Sequence, residues 1–361
     1  MTNDELSRYS RHILLPEIGA AGQEKLKAAR VLVVGMGGLG APISLYLAAA
    51  GVGEIGIVDF DSVEESNLQR QAIHSTKTIG AAKVDSAKER LQAINPLITI
   101  TAYRERLTAA NALLIIKNYD IVADATDNYA ARYLLNDSCV FLNKPLVYGS
   151  IFRFDAQIAV FKPRESGCYR CLFPAPPPPY LAPSCAEGGV LGALPGAVGA
   201  LQAGEVIKLI VGAEGVLAGR LTLLDMWRGK FREVKFSRDL ECPVCGENPT
   251  ITALIDYENF CGLKGGGINL VKPADLESRV ANGAALVDVR EKVEVEIAAL
   301  DGAINIPISE FASRLAEIPL GREVIFACRS GIRSERAILT LQDAGILGDF
   351  WSLEGGLDAR K

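Results

Sequence analysis

Cys328 closes the apolar run EVIFAC and opens CRSGIRSERA. That order reads as a strand, then a loop of Cys328, Arg329, Ser330, Gly331, Ile332 and Arg333, then a helix. Such a loop surrounds a sulfur with backbone N–H groups at a helix N-terminus. Arg329 and Arg333 add positive charge, and together these features favour a thiolate or persulfide anion. Arg333 follows Cys328 after four residues, one fewer than in a C-x5-R phosphate loop, so the loop suits sulfane sulfur better than phosphate. The plainer alternative is a core cysteine at a strand end.

Two other cysteine pairs, Cys168-Tyr-Arg-Cys171 and Cys242-Pro-Val-Cys245, each offer two thiolates from a tight turn. Four thiolates complete a tetrahedral site for structural Zn²⁺, and the closed ligand set argues against catalytic zinc. The wide gap between the pairs means that the metal would clip two distant segments together. Redox use of one pair, or inert thiols, are the other readings. Cys139, in SCVFLN, sits in an apolar helical context and reads as core. Cys261 receives no role.

A third constellation surrounds VLVVGMGGLGAP. Gly35, Gly37, Gly38 and Gly40 lie between an apolar run and a helix-forming run, which gives a tight turn with N–H groups facing a phosphate. Asp59 ends the next strand and can accept ribose hydroxyls, with Asp61 just beyond it. These features alone fit NAD as well as ATP. Asn67 and Arg70 follow in DFDSVEESNLQRQ, Lys83 opens the next helix, and DATDN brings Asp127 and Asn128 to a strand end. Cations around one nucleotide, with a carboxylate to hold Mg²⁺, suit a triphosphate. Each charge taken singly also fits a solvated helix face.

The elements that must position these residues alternate strand and helix. Residues 31–35, 54–59, 97–103 and 119–126 read as strands. Residues 39–50, 80–95, 107–118 and about 129–142 read as helices. The fold class is therefore α/β, a Rossmann-like, doubly wound, mostly parallel sheet. Residues 145–162 and 220–236 have no helix between successive strands and read as antiparallel additions. PAPPPPYLAPSCAEGG, 174–189, reads as an extended connecting loop over a cleft. LKGGG marks a linker. After it come a strand at 285–290, a helix at 311–318, a strand at 323–328 and a helix at about 331–344. The expected domains are 1–247, a linker over 248–268, and a small α/β domain over 269–361.

The chain has 361 residues and a net charge of −5, so no basic field recruits nucleic acid. Its polar N-terminus and the lack of a long uninterrupted apolar run point to the cytoplasm, with no membrane association. In that compartment metal binding or catalysis explains eight cysteines better than a disulfide framework.

RYSRHILLPEIGAAGQEKL, the glycine stretch, SNLQRQ, GAAKVDSAKERL, DATDN, CYRCLFPAPPPP, PSCAEGGVLGALPGAVGALQAGEVIK and CPVCG occur in this order over residues 7–247. Together they resemble the MoeB/ThiF branch of the ubiquitin-activating superfamily. LVDVRE, DGAINIP, the CRSGIRS loop and LEGGLDA resemble a single rhodanese domain. The resemblance implies ATP-dependent adenylation of the C-terminal glycine of a small ubiquitin-like sulfur carrier ending in Gly-Gly, with pyrophosphate released. It assigns phosphate to Gly38 and its neighbours, ribose to Asp59, and Mg²⁺ to Asp127 with Asn128 beside it. Asn67, Arg70 and Lys83 receive phosphate or transition-state charge. Arg11 resembles an arginine that reaches the ATP of the other subunit, which implies a homodimer. Sulfur from a donor such as a cysteine desulfurase or thiosulfate would load Cys328 and pass to the carrier as thiocarboxylate. Cys185 resembles a mobile cysteine that bonds the carrier in some relatives, and simple loop packing is its alternative. A Cys185 thioester serving protein conjugation is the second functional reading, and a non-catalytic scaffold is the third. A dehydrogenase is disfavoured, because neither His12 nor His74 looks like a hydride-transfer acid.

Overall fold

The computed structural model describes residues 1–177, 189–262 and 268–360. They form two compact units, the larger from the described residues of 1–176 and 189–260, the smaller from Pro177 and the described residues of 261–360.

The larger unit is built on β1 (Arg30–Val34), β2 (Glu54–Val58), β3 (Thr99–Tyr103), β4 (Ile121–Asp124), β5 (Leu146–Phe152), β6 (Asp155–Phe161), β7 (Arg220–Asp225) and β8 (Lys230–Lys235). They form one sheet in the order β3-β2-β1-β4-β5-β6-β7-β8. The first five strands are parallel and the last three pair antiparallel, as the lack of a helix within 145–162 and within 220–236 predicts. β1 lies at the middle of the parallel part. Val31, Leu32 and Val33 are wholly buried, because helices cover both faces.

Helices Gly40–Ala50 and Ala193–Val211 pack on one another and on the sheet, with Leu47, Val198 and Val206 in the core. Ala193–Val211 is long and apolar enough by length and composition to cross a membrane. Here its Val198, Gln202 and Val206 are buried inside the unit. Sequence periodicity had not singled out this helix, whose glycines and proline dilute the pattern.

The smaller unit holds β9 (Asn269–Val271), β10 (Ala285–Asp288), β11 (Ile304–Asn305), β12 (Val324–Ala327) and β13 (Phe350–Leu353), in the parallel order β11-β10-β12-β13-β9. Central β12 carries Cys328 at its C-terminal end, and helix Ile332–Asp343 follows. The helix expected over 311–318 is instead two 3₁₀ turns, Phe311–Ser313 and Leu315–Glu317. Arg314 leaves helical geometry between them (φ −119°, ψ 20°), and Pro319 blocks continuation.

The stretch expected to be linker begins with ordered structure. Tyr257–Phe260 is a helical turn packed on helix Tyr129–Phe141, and Tyr257 is buried. LKGGG, 263–267, lies outside the described residues.

Candidate functional site

The glycine loop leaves β1 through Gly35, whose φ is +98°. A Cβ on Gly35 would lie 2.6 Å from the Ala125 carbonyl oxygen, and one on Gly40 would lie 1.8 Å from the Gly35 carbonyl oxygen. The turn is closed so tightly that only glycine fits at either position. Asp59, at the end of β2, ties the loop down: its Oδ2 accepts from Met36 N at 2.7 Å and its Oδ1 from Asp61 N at 2.8 Å. Burial pushes the Asp59 carboxyl above its usual range, and Lys83 works against that rise. Asp61 in turn accepts from Lys83 Nζ at 2.8 Å, and Lys83 is nearly buried at the start of helix Lys83–Ile94.

Arg70 runs alongside Gly38, and its guanidinium donates to the Ser66 carbonyl at 3.0 Å. Buried Asn67 accepts from Glu64 N at 3.3 Å. Gly35, Asp59, Asp61 and Lys83 thus form one linked cluster at the C-terminal ends of β1 and β2, with Arg70 against the glycines. That is where open parallel sheets bind ligands.

Across the loop, β4 ends at Asp124, which is fully buried and accepts from Thr126 N and Oγ1 at 2.9 and 2.6 Å. Burial raises its carboxyl, while nearby Arg132 opposes the rise. This brace projects Asp127 into solvent at the mouth of helix Tyr129–Phe141. Asn128 caps that helix, accepting from Ala131 N at 2.9 Å, so its side-chain oxygen has a structural task. Arg11 is exposed on helix Ser10–Ile13, and among the described residues no hydrogen bond or ion pair joins it to the glycine loop.

Two residues were missed from sequence. His74 Nε2 lies 3.1 Å from the Met36 carbonyl and Nδ1 2.9 Å from Ser86 Oγ. A carbonyl only accepts, so Nε2 carries the proton and Ser86 donates to Nδ1. Burial pushes His74 down, which favours this neutral form. Gln71 is buried beneath Gly37. Both belong to the polar run QRQAIHS, whose only signal is its adjacency to Arg70.

The two C-x2-C turns converge. Sγ separations are 3.6 Å for Cys168–Cys242, 3.9 Å for Cys168–Cys171 and 3.4 Å for Cys171–Cys245, and all four sulfurs lie within 4.8 Å of one another. A tetrahedron of thiolates with Zn–S bonds of about 2.3 Å has edges of about 3.8 Å, so the set could hold such an ion. Cys139 is buried on helix Tyr129–Phe141 and burial raises its thiol, in keeping with a core role. Cys185 lies outside the described residues.

In the smaller unit, Cys328 Sγ is buried and accepts from Gly331 N at 3.2 Å. Gly331 has φ +92° and caps helix Ile332–Asp343, which turns its N–H toward the sulfur. Both arginines of the loop have carboxylate partners. Arg333 donates to both oxygens of Glu294, at 2.5 and 2.8 Å, and Arg329 pairs with Asp358 at 3.0 Å. Among the described contacts of the sulfur, the Gly331 N–H is the backbone donor. Arg329, Ser330 and Ile332 are exposed around the loop. Leu357 N and Asp358 N donate to the Cys328 and Arg329 carbonyls, both at 2.9 Å, and so brace it from behind.

With these sites in place, a family comparison decides the kind of protein. The model of the ThiF family matches residues 9–244, and that of the rhodanese-like domain matches residues 272–361. The chain belongs to the ThiF family. Adenylyltransferase and sulfurtransferase MOCS3 of Culex quinquefasciatus is 46% identical, over 94% of this chain and 82% of that protein. Probable adenylyltransferase/sulfurtransferase MoeZ of Mycobacterium tuberculosis is 45% identical, over 99% of this chain and 93% of its own length. Sulfur carrier protein adenylyltransferase of Thermus thermophilus is 53% identical, over 73% of this chain and 99% of that protein. Among solved structures, E. coli MccB with ATP superposes with a TM-score of 0.58 at 25% identity, over 68% of this chain and 75% of that one.

This ThiF-family chain is an adenylyltransferase and sulfurtransferase, and ATP is its nucleotide. ATP is the nucleotide that the cations of the sequence favoured over a dinucleotide.

Proposed function

We propose that the larger unit adenylates the C-terminal glycine of a small ubiquitin-like sulfur carrier ending in Gly-Gly, and that the smaller unit supplies the sulfur that turns it into a thiocarboxylate. The observation that carries this reading is the presence, in one chain, of an ATP loop joined to Lys83 through Asp59 and Asp61 and of a cysteine held at a helix N-terminus. The name of the Thermus relative supports the carrier.

In the first step a carrier carboxylate oxygen attacks the α-phosphorus, and pyrophosphate leaves. Backbone N–H groups of Gly37 and Gly38, with Asn67, Arg70 and Lys83, stabilise the charge, while Asp59 holds ribose. Asp127, exposed at a helix mouth, holds Mg²⁺ when it is bound. In the second step the terminal sulfur of a Cys328 persulfide attacks the acyl carbon and AMP leaves. A second thiol then attacks the Cys328 sulfur, which releases the thiocarboxylate and leaves a disulfide. Thiosulfate or a cysteine desulfurase supplies the persulfide.

Cys168, Cys171, Cys242 and Cys245 hold structural Zn²⁺. The chain works in the cytoplasm, where thiols such as the four of the C-x2-C turns stay reduced and able to bind metal. It acts as a homodimer in which Arg11 serves the partner's nucleotide. Exposed Leu14, Leu15 and Tyr46 supply apolar surface for such an interface.

The test is carrier-dependent ATP–pyrophosphate exchange. Lys83→Ala should cut it by at least about a hundredfold. Mixing Lys83→Ala chains with Arg11→Ala chains should restore part of it, because one mixed site regains both residues. Cys328→Ala should leave exchange intact and abolish thiocarboxylate. Exchange that needs no carrier, or thiocarboxylation that survives Cys328→Ala, would sink the reading.

A further inference from the structure

Beneath the reactive sulfur lie two hydroxyls that no step above uses. Ser334 and Ser352 are both fully buried. Ser334 Oγ lies 3.6 Å from Cys328 Sγ, 2.7 Å from the Gly331 carbonyl oxygen and 2.7 Å from Ser352 Oγ. Ser334 comes from the first turn of helix Ile332–Asp343, and Ser352 from β13, the strand beside β12. Two separate elements therefore bring polar atoms to the floor of the sulfur site.

We propose that Ser334 is a catalytic residue of sulfur transfer, donating a hydrogen bond to the Cys328 sulfur as the persulfide bond breaks, with Ser352 as its positioning residue. The proposal rests on the sulfurtransferase role of this unit and not on the identity of the carrier.

The reason lies in counting protons. A hydroxyl has one proton to give and two lone pairs to accept with. The Gly331 carbonyl only accepts. With Ser352 donating into Ser334 Oγ, the Ser334 proton has two places to go, the Gly331 carbonyl or Cys328 Sγ. When Cys328 is a thiol, its S–H donates to the remaining lone pair of Ser334, and the Ser334 proton rests on the carbonyl. When negative charge builds on the sulfur, the proton turns to it. Ser334 can therefore serve both states without moving its oxygen. Gly331 N, at 3.2 Å, is a fixed donor beside it.

The step that builds this charge is defined. An acceptor such as cyanide attacks the terminal sulfur of the persulfide. A carbon–sulfur bond forms, the sulfur–sulfur bond breaks, and its electron pair stays on Cys328 Sγ as thiolate. No oxidant or reductant enters. A hydrogen bond made only as that thiolate appears lowers the barrier and leaves binding of the sulfur donor alone.

The test uses the full chain loaded with persulfide from thiosulfate, mixed with cyanide and followed for thiocyanate in a single turnover. Ser334→Ala is expected to slow the cleavage by at least about tenfold, with the kcat/KM for thiosulfate, the amount of persulfide loaded and the ATP–pyrophosphate exchange unchanged. Ser352→Ala should slow it by a few-fold, and Ser334→Thr, which keeps the hydroxyl, should recover most of the rate. Should Ser334→Ala fail to fold, Ser352→Ala carries the same test. A Ser334→Ala rate within twofold of the parent overturns the proposal. So does a slowing matched by loss of loading, with Ser352→Ala at the parent rate. Absence of thiocyanate from the parent chain would instead sink the reading of Cys328 as a sulfur carrier.

Discussion

Glu294 grips Arg333 with both carboxylate oxygens, and this hydrogen bonding is the main reason its carboxyl titrates below the ordinary value of 4.5. The folded-state pKa is depressed, so the stability contributed by the pair is fully present above the unfolded value and is lost as pH falls through the folded one. Acidification below about 4.5 should therefore lower the unfolding temperature of the smaller unit, and Glu294→Gln should remove that part of the acid-side slope. An unchanged slope in Glu294→Gln would show that the pair does not carry it. The same contact bears on the chemistry, because Arg333 is held by a carboxylate while Gly331 N meets the sulfur. Asp59 shows a related economy: one carboxylate fixes both Met36 and Asp61.

Helix Tyr129–Phe141 runs from the Asp124–Asn128 strand end to the four-cysteine cluster. Its N-terminus carries capped Asn128 beside Asp127, and its later turns carry Tyr133 and Asp137. Arg170, between Cys168 and Cys171, is fully buried and donates to both Asp137 oxygens at 2.8 and 2.9 Å. Tyr257 Oη donates to Asp137 at 2.8 Å, and the Arg170 guanidinium lies over the Tyr133 and Phe260 rings at 4.7 and 4.5 Å. Breaking a buried pair of this kind costs about 3–5 kcal/mol, because the survivor keeps an unanswered charge. The clip thus shapes the turn that presents Arg170. One zinc per chain is expected by elemental analysis and should be lost in Cys242→Ser. Chelation should lower the unfolding temperature of the larger unit and leave thiosulfate-to-cyanide transfer by the smaller unit unchanged. Equal unfolding with and without chelator would remove zinc from the account.

At the scale of the whole molecule, each unit owns a sheet and a separate core, the smaller unit's sheet parallel throughout and the larger unit's parallel over its first five strands. Each candidate site begins at the C-terminal end of a central strand, with Gly35 after β1 and Cys328 after β12. Covalent connection matters because a tether raises the local concentration of one site at the other, typically to the millimolar range. A protease site inserted at 263–267 and then cut should spare pyrophosphate exchange and cyanide transfer. Thiocarboxylate formation should fall severalfold at micromolar protein and recover as concentration rises. If cutting leaves that yield unchanged at every concentration, tethering contributes nothing to the transfer.

The sequence determined the alternation of strands and helices from β1 to helix Tyr129–Phe141, the glycine turn, the cysteine pairs and the loop after Cys328, because these depend on local spacing and on which backbone conformations a residue tolerates. It carried the ThiF and rhodanese identities for the same reason, since both reside in short ordered motifs. Tertiary structure alone decided which charges meet. The carboxylates that answer Arg329 and Arg333 lie 29 residues after the first and 39 before the second, and no periodicity links them. It also decided that Tyr257–Phe260 docks where composition suggested linker, since a buried Arg–Asp pair assembled from distant turns supplies its partners. The hydroxyls beneath Cys328 became visible only when β13 came to lie beside β12.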